Sequence, residues 1–202
     1  MKILGACILV VALASPAMAT PVNVALGRPV TVTGDVGVLT NLCCGWPDAS
    51  VRPPAALSSI VDGIFRPEQT EWQDGSVWWD ETNPGSFNNI ITIDLLGTYD
   101  VSIVMIQHDN NDGYQVDYRD FGGVWHPIGT AGPIPGFGLM TQSGNFGSLL
   151  ATAFRIDVTS GDGFYAVSEF QAIGQAVPEP ATMTLLGTGL AAALARRRRA
   201  RA

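Results

Sequence analysis

Trp72, Trp78 and Trp79 crowd one stretch of this 202-residue chain. An indole face stacks on the C–H surface of a sugar ring as readily as it fills a core. Neighbouring residues of a strand point to opposite faces, so of Trp78 and Trp79 at most one is expected inside, and the other becomes a sugar-stacking candidate. A second group, His108, Asp109 and Asn110 with Asn111 and Asp112, follows an apolar run that ends at Gln107. Such side chains hydrogen-bond vicinal hydroxyls in a fixed pattern, and they also make ordinary turns. Catalytic chemistry has less to draw on. His108 and His126 are the two histidines of the sequence, and no Gly-x-Ser-x-Gly elbow, phosphate loop or metalloprotease helix motif occurs. Acidic pairs such as Asp117 with Asp120 leave a two-carboxylate glycoside hydrolase as a weaker alternative.

The elements that must hold these residues read as all-β. Ile90–Leu95, Val101–Gln107, Tyr114–Tyr118, Ala151–Val158 and Phe164–Ile173 are short runs rich in β-branched and aromatic residues, punctuated by Gly, Asn, Asp and Pro. Alternation is clearest at Phe154–Val158, which predicts the apolar residues inward and Arg155 and Asp157 outward. Before the tail there is no helical period, so the pattern predicts a β-sandwich or jelly roll.

Both ends of the chain carry targeting signals. Lys2, an apolar run from Ile3 to Ala14 and the small-x-small site Ala17-Met18-Ala19 make residues 1–19 a signal peptide, which signal peptidase would cut before Thr20. At the other end, Pro178-Glu179-Pro180 precedes an apolar stretch Ala181–Ala195 and then Arg196, Arg197, Arg198 and Arg199. A cationic cluster is held on the cytoplasmic side of a membrane. Residues 177–202 resemble the PEP-CTERM sorting signal of Gram-negative bacteria: motif, transmembrane helix, Arg-rich end. That resemblance implies an exosortase partner, transient residence in the inner membrane, and passage to the cell surface or extracellular matrix. The apolar stretch is 15 residues long, short of the roughly 20 that span a bilayer, as suits a disposable segment.

Between the signals the chain holds 17 acidic and 5 basic side chains, a net charge of −12. Such a surface repels phosphate backbones and excludes nucleic acid as a partner. The span 20–176 is the size of one domain. Its cysteines are the adjacent Cys43 and Cys44; a vicinal disulfide, an intermolecular bridge and two free thiols all remain open.

Asn23-Val24-Ala25-Leu26-Gly27-Arg28-Pro29-Val30-Thr31, Ile60-Val61-Asp62-Gly63, Thr70 with Trp72, Ile91–Leu95, Gly122–Trp125, Ala151–Ile156 and Val167–Phe170 follow one another in an order that resembles the discoidin, or coagulation factor 5/8 type C, family. The resemblance implies a galactose-binding-like jelly roll. The chain departs from the family in a longer span from Asp62 to Thr70, in Leu96 where the family runs Asp-Leu-Gly, and in a segment Gly34–Pro54 without counterpart. Carried over by position, the family's cation site implies structural calcium held by the carboxylates of Asp62 and Glu169, by Thr70, and by the carbonyls of Ser59, Ile64 and Ser168. The residues following Gln107 would lie near the binding rim. Together the resemblances imply an exported, non-enzymatic domain that recognises extracellular polysaccharide; the alternative is a structural matrix or surface protein without a glycan pocket.

Overall fold

The computed structural model describes residues 20–39, 45–81, 89–177 and 180–199. The signal peptide, Cys43, Cys44, Pro178 and Glu179 lie outside the described residues. The elements are β1 (Val22–Asn23), β2 (Val30–Thr33), a 3-10 turn (Leu57–Val61), β3 (Val77–Asp80), β4 (Ile90–Asp109), β5 (Gly113–Arg119), β6 (Trp125–Ala131), β7 (Leu139–Ser160), β8 (Phe164–Ala176) and helix α1 (Pro180–Arg199). All strand pairings are antiparallel, and the architecture is the expected jelly-roll β-sandwich.

One long ribbon organises it. β4 and β7 pair along most of their length, from Ile90 opposite Asp157 to Asp109 opposite Leu139, with the register broken between Asp94 and Tyr99. There the ribbon folds back on itself. Its first half joins β2, β5 and β6, and its second half joins β8, which also carries β1 and β3. The two halves face each other: Phe154 of one layer and Phe170 of the other have ring centroids 5.2 Å apart. The core between them includes Ile91, Ile93, Val104, Ile106, Ile156 and Trp79. Phe154, Ile156 and Val158 are buried as their alternation predicts, while Arg155 turns outward onto the Trp125 ring and pairs with Asp117.

The fold-back explains why two expected strands are one. Four residues, Leu95 to Thr98, bulge out between Asp94 and Tyr99 without ending the ladder, as bulges do where a sheet turns a corner. Leu96 sits at the apex with φ 57°, a left-handed conformation that costs a bulky side chain energy. Asp94 Oδ1 accepts the Leu96 N–H at 2.8 Å and holds it there.

The tail forms a helix of 20 residues, the last four of them arginines. Among the described residues no helix is long and apolar enough to cross a membrane. The transmembrane helix expected from the tail is therefore not found: α1 has the residue count of a span, but its last four positions are arginines and the apolar stretch before them is 15 residues.

Candidate functional site

The two ends of the sandwich are built differently. At one end lie the ribbon's fold-back, the β5–β6 turn and the exit of the tail. At the other lie the β4–β5 turn, the loop 132–138, the β7–β8 turn and the start of β8. That second end is the rim where the polar candidates of the sequence gather.

His108 and Asp109 are not loop residues. They are the last residues of β4, and both are buried, so neither reaches solvent in the manner expected of sugar ligands. The His108 ring lies 4.9 Å from that of Tyr114, its Nδ1 is 2.7 Å from the Asp109 carbonyl, and burial pushes its pKa down, which keeps it neutral. Burial pushes Asp109 up to about 7, with the carboxylates of Asp162 and Glu71 adding. Asp112 is pushed up to about 9, again by burial first and then by Asp109 and Asp162. It accepts the Tyr114 hydroxyl at 3.2 Å, and Tyr114 in turn bonds the backbone of Ala166. These groups form an interior polar network under the rim.

Asn110 stands above that network and organises the neighbouring loop. Its amide donates to the carbonyls of Ile134 and Gly136, both at 3.1 Å, and its N–H donates to the Gly138 carbonyl at 2.9 Å. These bonds bracket Phe137, which is 54% exposed. Gly138 has φ 59°, and a Cβ there would lie 2.0 Å from the Thr70 carbonyl oxygen, so glycine alone lets the loop approach that backbone. Beside it, Asn111 donates to Asp162 at 2.8 Å. The rim thus presents an aromatic ring on a pinned loop with amide and carboxylate groups nearby. Phe137 was not singled out by sequence reasoning, although a large aromatic between two glycines in a Pro/Gly-rich stretch is the signal of an exposed loop tip.

Both tryptophan candidates are interior: Trp78 is 0% and Trp79 1% exposed. The expectation that one of them faces solvent is corrected, because β3 is covered on both sides. Trp79 packs in the main core, its ring centroid 5.9 Å from that of Tyr165. Trp78 faces a second cluster with Trp72, Leu139 and Phe164, capped by Leu39, Trp46 and Ala49. That cap comes from the Gly34–Pro54 segment, which is tied down by Gly37 donating to the Trp78 carbonyl and Gln73 to that of Pro47, both at 2.8 Å.

The carboxylates of Asp62 and Glu169 do come together. Glu169 is buried, accepts the Gly63 N–H at 3.0 Å through Oε1, and has no hydrogen-bond partner for Oε2. Burial pushes it up to about 7, and the like charge of Asp62 adds to the shift. Asp62 accepts the Ile64 N–H at 2.8 Å. A buried, orphaned carboxylate oxygen beside a second carboxylate is a donor set that suits a hard cation. Among the described residues no three His, Cys, Asp or Glu side chains converge on a metal position, so backbone oxygens would have to complete the shell. Thr70 is engaged elsewhere: its hydroxyl donates to Pro67 at 2.6 Å and its carbonyl accepts from Leu139 at 2.7 Å. The Ser168 hydroxyl donates to Gln107 at 2.7 Å, and the Ser59 hydroxyl is buried without a partner. Gln107, in register with Glu169, fastens the Asp62–Thr70 segment by bonding both N–H and carbonyl of Arg66.

A cavity of about 240 Å³ opens at the side of the sandwich between β6 and the first half of β7, floored by Val104, Ile106 and Val116. No ionisable side chain lines it, which makes it a poorer match than the rim for a polyhydroxylated ligand.

Residues 176–199 match the family described as the PEP-CTERM protein-sorting motif, which marks a secreted, membrane-processed surface protein. No curated protein matches the chain. Among solved structures, an f-lectin (fucolectin) from striped bass serum, Morone saxatilis, superposes with a TM-score of 0.56 at 15% identity, covering 80% of this chain and 52% of that one. The family 32 CBM of Clostridium perfringens NanJ, solved in complex with galactose, superposes with a TM-score of 0.52 at 14% identity, covering 76% of this chain and 98% of that one. Identities this low speak for the fold. The chain carries a C-terminal PEP-CTERM protein-sorting motif behind a β-sandwich whose fold is similar to that of these two solved proteins.

Proposed function

We propose that this is an exported, non-catalytic glycan-binding protein of a Gram-negative cell surface, which engages extracellular polysaccharide through the rim around Phe137. The observation that carries the reading is the exposed Phe137 ring, held by Asn110 next to the Asn111–Asp162 pair, at the end of the sandwich away from the tail. A ring in that setting stacks on the apolar face of a sugar, while the amide and carboxylate groups bond its hydroxyls. Two proteins that share the fold are named for sugar binding, an f-lectin and a module solved with galactose. The sorting motif supports removal of the tail by exosortase at the inner membrane after signal peptidase has acted at the other end.

Calcium belongs to this reading as a structural ion. Asp62 and Glu169 would hold it, and it would neutralise the buried Glu169 carboxylate and brace the Gly63 turn.

The test is retention of the full chain on a panel of neutral and acidic polysaccharides, compared with F137A. Retention by the wild type that F137A loses at unchanged melting temperature supports the reading. Absence of retention on every glycan sinks it and leaves a structural matrix protein as the function of the fold.

A further inference from the structure

The tail leaves the sandwich at a defined place. Val177 donates its N–H to the Thr98 carbonyl at 3.0 Å, Ala176 lies in register with Tyr99, and α1 begins at Pro180. Three residues of extended chain reach at most about 11 Å. The apolar stretch that follows is 15 residues, about 22 Å as a helix against the roughly 30 Å of a bilayer's hydrocarbon. Nothing in the leash or the helix has length to spare, so a tail lodged in a membrane draws the fold-back end of the sandwich down onto the lipid headgroups.

That same end exposes apolar side chains. Leu96, at the apex of the fold-back, is 67% exposed, and its left-handed backbone keeps it projecting from the corner. Leu150 is 44% exposed and in register with Asp100, which on its other side is in register with Gln175. The β5–β6 turn carries Phe121 at 79% and Val124 at 56% exposure, and the Thr152 hydroxyl ties that turn to the fold-back by donating to the Asp120 carbonyl at 3.1 Å. Single exposed apolar residues are ordinary, whereas several on the end next to a membrane-directed tail point to a shared environment. Electrostatic attraction does not provide it, since a domain with 17 acids against 5 bases is repelled by anionic headgroups.

We propose that the end formed by Leu96, Phe121, Val124 and Leu150 is a bilayer-contacting face, seated in the lipid interface while the tail is engaged and turning the Phe137 rim outward. The inference rests on the membrane reading of the tail. It is tested with the full chain and phosphatidylcholine vesicles whose acyl chains carry bromine, using F121W and F137W. In vesicle-bound protein, the emission that F121W adds over wild type is expected to be quenched several-fold more than that added by F137W, and L96S/F121S is expected to lower vesicle partitioning several-fold. Equal quenching at the two positions, or none at 121, in protein that still pellets with vesicles overturns the face and leaves the tail reading intact. A wild-type chain that does not pellet overturns both. Unquenched F121W together with failed tail removal in cells producing L96S/F121S reassigns the face to the processing enzyme and overturns the lipid assignment.

Discussion

Asn110 and Ile134 are bonded reciprocally: the Ile134 N–H donates to the Asn110 carbonyl at 2.7 Å, and the Asn110 amide donates to the Ile134 carbonyl at 3.1 Å. Asn110 is thereby a positioning residue for the Phe137 loop, its amide occupied by the protein rather than open to a sugar.

N110A removes two side-chain bonds at the rim, each worth about 1 kcal/mol net. Glycan affinity is expected to fall several-fold with a modest loss of stability, and addition of ligand to recover part of the melting temperature in wild type more than in N110A. Calorimetric titration and thermal melts on the same samples check this.

The buried carboxylates set a pH dependence of stability. Asp112 is raised to about 9 and Asp109 to about 7, so between the ordinary carboxylate range near 4 and these values the folded protein holds protons that the unfolded chain has released. Stability therefore falls as pH rises through that window. His108, pushed down by burial, acts in the opposite sense, and only below about pH 6.5 where the unfolded chain protonates. In the upper part of the window Asp112 carries the slope, up to about 1.4 kcal/mol per pH unit. D112N, which keeps an acceptor for Tyr114, is expected to flatten urea-derived stability from about pH 7.5 to 9; an unchanged slope in D112N would refute the assignment.

Trp78 and Trp79 are expected to matter for folding. Truncation of either to Ala in a packed interior costs about 3–5 kcal/mol, whereas F137A at an exposed loop tip is expected to stay within about 0.5 kcal/mol of wild type. Denaturant melts of the three variants separate the two classes, and a W78A protein of wild-type stability would contradict the interior placement.

Calcium is expected to raise the melting temperature of the wild type and to leave E169Q unmoved. In chelator at about pH 8, E169Q is expected to equal or exceed the wild type, because it removes a carboxylate that is charged, buried and beside Asp62. Scanning calorimetry with and without chelator checks both statements.

Local pattern carried much of this protein. Alternation at Phe154–Val158 and the β-branched runs placed β4, β5, β7 and β8, and the order of motif, apolar stretch and arginines placed the sorting signal, because strand period and membrane sorting are read along the chain. β6 and the first half of β7 had weaker signals, since Gly129, Gly144 and Gly147 interrupt their patterns, and pairing with neighbours supplies what propensity lacks. The ladder's continuity through Leu96 depends on β7 staying paired on both sides of the bulge. Whether Trp78 faced water depended on where the Gly34–Pro54 segment came to rest. The rim was the least legible part. His108 and Asp109 read as loop residues and are interior, Asn110 read as a ligand and is a clamp, and Phe137 reaches solvent because Asn110 and Gly138 hold its loop. Contacts between residues distant in sequence decide burial, and burial decided which of the candidate side chains can meet a ligand.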